Sequence, residues 1–352
     1  MFRFRRRFIS LTTTAILLSV TSGLSACGST TEHSAGDERL TTVTLALDYL
    51  ANNAGFAGFY VAQQNGYYKS VGLDVKIQPY TDTTADVLVS AGQADFGTVD
   101  SPTLIMDRAA GQNLVAIMAM MQHAAFKVAV ATKDTDKIHS PKDLQGKTFG
   151  GFGVPIEQGI NNAMIKADGG ATPDYRTVTL GPSVYDALTA GQVDWALIYD
   201  TDDIAWARLR GDDWKTLNPQ QYGVPDYYEK MIFSTDDYLS SHQDVAKKFA
   251  KASAEGFDWA AHHPAEATSI QASLVKGDFD LPNQTETATL LARNYWLGSN
   301  GKVGHMDAAL WNDTARFLFE QGLLKDAQGG ALSEAPNTST YFTNEYLPEG
   351  TS

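Results

Sequence analysis

The chain reads as an α/β protein of two similar lobes, each a mostly parallel sheet flanked by helices. Three observations predict this. Short strand patterns alternate with amphipathic helix patterns from Thr42 onward. One turn sequence, Ser90-Ala91-Gly92-Gln93-Ala94-Asp95-Phe96, recurs as Thr189-Ala190-Gly191-Gln192-Val193-Asp194-Trp195. Two extended runs, Phe126 to Thr132 and Lys230 to Ser234, fit segments that leave one lobe and return to it.

Each element has its own signal. Val43, Leu45 and Leu47 alternate with Thr44 and Ala46, a period-2 strand pattern that ends at Asp48-Tyr49. A helix follows from about Gly55 to Gln64, then a second strand at Leu73 to Gln78. In the repeated turn an amphipathic helix ends at the glycine, which suits the left-handed position after a helix, and an apolar strand begins at the aromatic. The crossing segments place a first lobe at residues 42–132 plus 231–345 and a second lobe at 133–230. Apolar residues at helical spacing over Val245 to His262, Thr285 to Tyr295 and Ala308 to Leu324 predict helices that pack on the first lobe and latch the back of the second.

The chain opens with Arg3, Arg5, Arg6 and Arg7, then the apolar stretch Phe8 to Val20, then Leu24-Ser25-Ala26-Cys27. A positive segment, a short apolar core and small residues form a secretion signal, here residues 1–26. The apolar core is shorter than the ~20 residues that a spanning helix needs. Cys27, the only cysteine, ends a run that resembles a lipobox, so it is the expected lipid attachment site. Arg5-Arg6-Arg7-Phe8-Ile9 partly resembles a twin-arginine signal, which leaves both export routes open. Residues 27–41 are small and polar and read as a flexible tether. Removal of residues 1–26 leaves 23 basic against 41 acidic residues, a net charge of −18. That surface argues against nucleic acid and anionic lipid as partners, because phosphate binding needs clustered Lys and Arg. A lone cysteine permits no intramolecular disulfide. The chain has no HExxH, CxxC, Walker loop or GxSxG motif, and neither a metal site nor a cofactor is expected.

Ligands of open α/β sheets bind at the carboxyl ends of the strands. Four such ends stand out: Asp48-Tyr49 leading into Asn52-Asn53, Asp100-Ser101, the run Gly150 to Glu157, and Tyr199 to Asp203. The candidate ligand-binding residues are Asp48, Tyr49, Asn52, Asp100, Ser101, Phe152, Gly153, Pro155, Glu157, Tyr199 and Asp203. They offer aromatic faces, amides and carboxylates, which suits a flat, nitrogen-rich ligand with amino donors. Apart from Lys147 these ends carry neither Arg nor Lys, whereas an anion site wants cations. A neutral or cationic heteroaromatic is therefore favoured. Each group also has a plain structural reading: the glycine run as a tight strand–helix turn, Asp100 as a helix cap, and Asp202-Asp203 as the start of a helix.

Leu47-Asp48-Tyr49, Gly58-Phe59-Tyr60-Val61-Ala62, Gly66-Tyr67-Tyr68 and Gly72-Leu73-Asp74-Val75 resemble the opening of the thiamine-pyrimidine-synthase-like periplasmic binding proteins. Ser90 to Gly97, Asp143-Leu144-Gln145-Gly146-Lys147 and Gly151 to Glu157 extend the resemblance over residues 42–240. It implies a two-lobed type II periplasmic binding protein fold, a thiamine pyrimidine precursor as ligand and an ABC permease as membrane partner. Relatives bind riboflavin, nitrate or sulfonates, and the receptor is expected to be a monomer. Tyr49 stands where pyrimidine binders carry a stacking tryptophan, Asn52 falls on a common asparagine, and Asp203 falls on the acid of a Trp-Glu pair, here Asp202-Asp203. Ala54-Gly55-Phe56 replaces a usual Asn-His. The clustered cysteines of the eukaryotic synthases are absent, which favours binding over catalysis. A pyrimidine-synthase-like enzyme and a lipoprotein sensor remain the alternatives.

Overall fold

The computed structural model describes residues 40–350 apart from 171, 172 and 213. The signal segment, Cys27 and the tether up to residue 39 lie outside the described residues. Strand β1 (Thr41–Ala46) leads through a 3-10 turn (Ala54–Phe56) into helix α1 (Ala57–Gln64) and the short α2 (Tyr67–Ser70). There follow β2 (Leu73–Gln78), α3 (Ala85–Ser90), β3 (Phe96–Val99), α4 (Ser101–Ala109) and β4 (Leu114–Met121). The next run is β5 (Phe126–Val130), β6 (Thr148–Gly151), α5 (Pro155–Ala167), β7 (Arg176–Thr179), α6 (Val184–Thr189), β8 (Trp195–Tyr199), α7 (Asp202–Arg210) and β9 (Lys215–Leu217). After β10 (Lys230–Thr235) the chain is helical: α8 (Asp236–Ser241), α9 (Gln243–His262), α10 (Pro264–Leu274), α11 (Leu281–Asn294) and α12 (Ala308–Glu320).

The strands form two five-stranded sheets, ordered β2-β1-β3-β10-β4 and β7-β6-β8-β5-β9. In each, the first three strands are parallel and the fourth runs antiparallel. Phe126 to Val130 and Lys230 to Thr235 are those antiparallel strands. The boundaries drawn at 132 and 230 are thereby corrected. β5 belongs wholly to the second sheet, and Lys230 opens a strand of the first. The passages between lobes are the non-strand connections 122–125 and 223–229. Apolar periodicity marks a strand but not the sheet it joins, which explains the offset.

The repeated turn does the same work twice. Gly92 and Gly191 adopt φ of 67° and 66°, and both end a helix. The carboxylates that follow clamp the first parallel strand of their own sheet: Asp95 Oδ2 accepts the Thr44 N–H at 2.7 Å and Asp194 Oδ2 the Thr148 N–H at 2.8 Å. The aromatics then enter the cores, Phe96 stacked 4.3 Å from Phe249 and Trp195 4.6 Å from Phe149.

Helix α9 lies against α1, with Phe257 edge-on to Phe59 at 5.0 Å. The two helices meet where Gly256 faces Gly58. A Cβ added at Gly256 would overlap the Gly58 carbonyl oxygen and sit 2.9 Å from the Ala62 Cβ. Backbone cannot retreat as a side-chain tip can, so Gly256→Ala is expected to destabilise by about 1–3 kcal/mol. Urea unfolding measures it, and a change below a few tenths would show that the helices separate freely. The C-terminal helices also reach the second lobe: Tyr295 donates to Asp200 Oδ2 at 2.9 Å, and Arg208 pairs with Glu286 at 3.4 Å. Among the described residues no helix is long and apolar enough to cross a membrane.

Candidate functional site

The carboxyl ends of the parallel strands face one another across a chamber between the two sheets. Tyr49, Asn53 and Met121 line it from the first lobe, and Phe152, Tyr199, Thr201, Asp202 and Asp203 from the second. Glu229, at the end of the returning connection, and Lys230, the first residue of β10, complete it with Gly55 and Leu291. The void measures about 540 Å³, counting its opening to solvent. Phe152 stands edge-on to Tyr199 at 5.3 Å, and Tyr199 is backed by Phe126 at 4.5 Å.

Four predicted residues, Tyr49, Phe152, Tyr199 and Asp203, come together in this chamber. Asp203 Oδ2 accepts the Tyr199 N–H at 2.8 Å, which ties the start of α7 to the end of β8. Burial and the neighbouring Asp202 push its pKa up to about 7. Tyr49 is raised by burial and by the same two aspartates.

Asp48 stands just behind the wall. It accepts the Thr98 hydroxyl at 2.6 Å and the Lys230 ammonium at 2.5 Å. Asn52 is not in the chamber. It lines outer grooves and donates to the Asp278 carbonyl at 3.0 Å. Asn53, one residue on, takes the inner position: its amide donates to Asp202 Oδ1 at 2.9 Å and bridges the lobes. Asp100 caps α4 by accepting the Thr103 N–H at 2.7 Å, and burial raises its pKa. Ser101 is buried and exchanges hydrogen bonds with the Tyr228 backbone, holding the returning connection.

Gly153, Pro155 and Glu157 do not line the chamber. Glu157 folds back and accepts the Phe152 and Gly153 N–H groups at 2.7 and 2.8 Å. The loop donors expected to face a ligand are thus satisfied by the acid a turn later, which is the tight-turn reading. Pro155 simply opens α5 as its first residue.

The sequence reading missed Glu229 and Lys230, and named Asn53 and Asp202 only as the neighbours of Asn52 and Asp203. Lys230 matters most, because it corrects the expectation of strand ends without a basic residue. Its strand runs antiparallel, so its first residue lies at the carboxyl edge of its parallel neighbours. Burial pulls Lys230 down, but Asp48, Glu229 and Asp100 outweigh it and its pKa lies above the usual lysine. Its ammonium also sits 6.0 Å from the Tyr49 ring centre and 5.9 Å from that of Phe56. Glu229 accepts the Ala125 N–H at 2.9 Å, and burial, aided by Asp100, pushes its pKa up to about 8. Among the described residues no group of three or more His, Cys, Asp or Glu is arranged to hold a metal.

Two sheets of matching topology with a lined chamber between their strand ends define a two-lobed periplasmic binding protein fold. The structure aligns with the periplasmic aliphatic sulphonate binding protein of Escherichia coli at a TM-score of 0.63 and 15% identity, covering 88% of this chain and 94% of that one. At that identity the likeness is one of fold. The chain belongs to the NMT1/THI5-like family, whose model matches residues 53–267. It is 28% identical over 303 residues to the formylaminopyrimidine-binding protein of Halalkalibacterium halodurans, covering 84% of this chain and 89% of that protein. It is 25% identical over 324 residues to the riboflavin-binding protein RibY of Chloroflexus aurantiacus, covering 88% and 87%. Both relatives are named as binding proteins.

Proposed function

We propose that this protein is the extracytoplasmic receptor of an ABC importer, lipid-anchored through Cys27, that captures a small heteroaromatic such as a thiamine pyrimidine precursor between its lobes. The observation that carries this reading is the pairing of aromatic faces (Tyr49, Phe152, Tyr199) with carboxylates (Asp202, Asp203, Glu229) in one chamber. Aromatic side chains stack on a flat ring, and carboxylates accept from its amino groups. Lys230 does not convert the chamber into an anion site, since the Asp48 carboxylate takes its charge at 2.5 Å. The family and the relative that binds a formylaminopyrimidine support the pyrimidine. The relative that binds riboflavin makes a flavin the second candidate ring.

Thermal-shift measurement with aminopyrimidines, flavins, taurine and nitrate tests the reading. A ligand at 100 times its Kd stabilises by about 2.7 kcal/mol. Stabilisation by an aminopyrimidine or a flavin is expected. A response to taurine or nitrate alone would overturn it. Within the site, Asp203→Ala is expected to weaken the ring compound at least tenfold, about 1.4 kcal/mol. Calorimetry reads this directly, and unchanged affinity would remove Asp203 from the ligand's partners. Asp203→Asn keeps an acceptor for the Tyr199 N–H and so separates the loss of charge from the loss of the helix start.

A further inference from the structure

The first passage between the lobes, residues 122–125, is tied at every position. At its start the Gln122 N–H donates to the Tyr295 carbonyl at 2.7 Å, and at its end the Ala125 carbonyl accepts the Asp200 N–H at 2.7 Å. Between them, Asp226 of the second passage meets His123 Nδ1 at 2.6 Å and accepts the Ala124 N–H at 2.8 Å. Glu229 accepts the Ala125 N–H at 2.9 Å. Tyr295 then closes a ring, because its hydroxyl donates to Asp200 Oδ2 at 2.9 Å. One residue of the first lobe thus grips both ends of the passage, the start through its carbonyl and the end through Asp200. Tyr295 is buried in the apolar core of the first lobe, whereas Asp200 directly follows β8 of the second. Burial and the Asp200 carboxylate push the tyrosine pKa up, so the hydroxyl stays a donor. Leu291, one turn earlier, lines the chamber, and Tyr295 does not.

We infer that Tyr295 is a positioning residue for ligand capture: its hydroxyl, bound to Asp200, is the catch that keeps the joint between the lobes shut. Opening swings Asp200 away with the second lobe, while Gln122 stays bound to the Tyr295 carbonyl. The passage then bends between its two fixed ends, and the bonds from Ala124 and Ala125 to the other passage loosen with it. The hydroxyl–carboxylate bond is the one that opening must break first. Other ties between the lobes are weaker substitutes. The Arg208–Glu286 pair is largely exposed, and such surface pairs hold little. The Asn53–Asp202 bond lies on the chamber wall, where a bound ligand competes for both groups. A receptor without the catch spends more time open, and its apparent affinity falls with the closed fraction. That bearing on capture rests on the reading of the chamber proposed above, whereas the catch belongs to the chain without any ligand.

Hydrogen–deuterium exchange of the full chain, at one pH and without ligand, tests the catch. The reporters are the Ala124 and Ala125 amides, and amides of β1 and β6, inside the two sheets, are the controls. Tyr295→Phe keeps the buried ring and removes a hydrogen bond to a charged acceptor. It is expected to speed exchange at the reporters by about tenfold or more and to change the controls by less than about twofold. Asp200→Ala should do the same, and the double variant should add nothing, since both changes remove one bond. Asp200→Asn keeps an acceptor for the hydroxyl and is expected to stay near wild type. Asp200→Ala, on the half-buried partner, carries the test alone if Tyr295→Phe does not fold. Unchanged reporters overturn the catch. An equal rise at reporters and controls overturns it too, because it marks a general loss of stability. Exchange in Asp200→Asn as fast as in Asp200→Ala overturns it in favour of the Lys127–Asp200 ion pair at 3.9 Å.

Discussion

Lys230→Met is expected to lower the unfolding free energy by about 3–5 kcal/mol, the cost of removing one partner from a buried ion pair. The Lys230 and Asp48 side chains are only 14% and 18% exposed, and their charged atoms meet at 2.5 Å. Glu229 and Asp100 lie close enough to raise the lysine pKa together with Asp48. Without the ammonium, the Asp48 carboxylate loses its counter-charge in a half-buried corner of the cleft. Adding Asp48→Asn to Lys230→Met should recover at least half of the loss, since most of it arises from the carboxylate left unpaired. Urea unfolding of the two variants decides the matter. A loss under 1 kcal/mol for Lys230→Met would mean that water screens the pair as it screens a surface salt bridge.

Stability should fall as pH rises from about 5 to 8, by on the order of a few kcal/mol. Glu229 titrates at about 8 in the fold against an ordinary 4.5, and Asp203 at about 7 against 3.8. Between those values the folded chain holds protons that the unfolded chain has released, so each step up in pH favours unfolding. His123, raised by its 2.6 Å contact with Asp226, acts in the same direction. The lowered carboxylates Asp168 and Asp194 stabilise above their unfolded range and lose that contribution only in acid, so they do not offset the trend. Glu229→Gln keeps an acceptor for the Ala125 N–H and has no proton to lose, so it should lessen the slope, leaving the share of Asp203, Asp107 and His123. Denaturation at several pH values measures both curves. A wild-type stability that is flat or rising between pH 5 and 8 would show that water reaches these carboxylates.

Much of the fold was legible because local chemistry dictates it. Alternation over Leu73 to Gln78 marks β2, and the glycine that each repeated turn needs at positive φ marks two equivalent places in two sheets. Strand direction is not a local property. Phe126 to Val130 and Lys230 to Thr235 read as strands, yet only their pairing shows that they fill the antiparallel position of their sheets. The same gap hid Lys230 from the candidate site. Asn52 lies outside the chamber and its neighbour Asn53 lines it, because the turn before α1 directs Asn53 inward and Asn52 toward Asp278. In the glycine loop only Phe152 lines the chamber, because Glu157, within the same short run, accepts the Phe152 and Gly153 amides itself. The aromatics read at strand ends, Tyr49, Phe152 and Tyr199, all line the chamber.

The position of β10 has a consequence for how the chain is assembled. Strands β5 to β9 come from one uninterrupted stretch, so the second sheet has all its strands once residue 217 is in place. The first sheet does not. β10 lies between β3 and β4, and these two strands have no ladder between them until residue 235 has been added. A chain growing from its N-terminus therefore carries its first lobe as two unjoined parts while it makes the whole of the second. The strand that joins them also delivers Glu229 and Lys230, so the cleft gains its charged floor in the same step that closes the sheet.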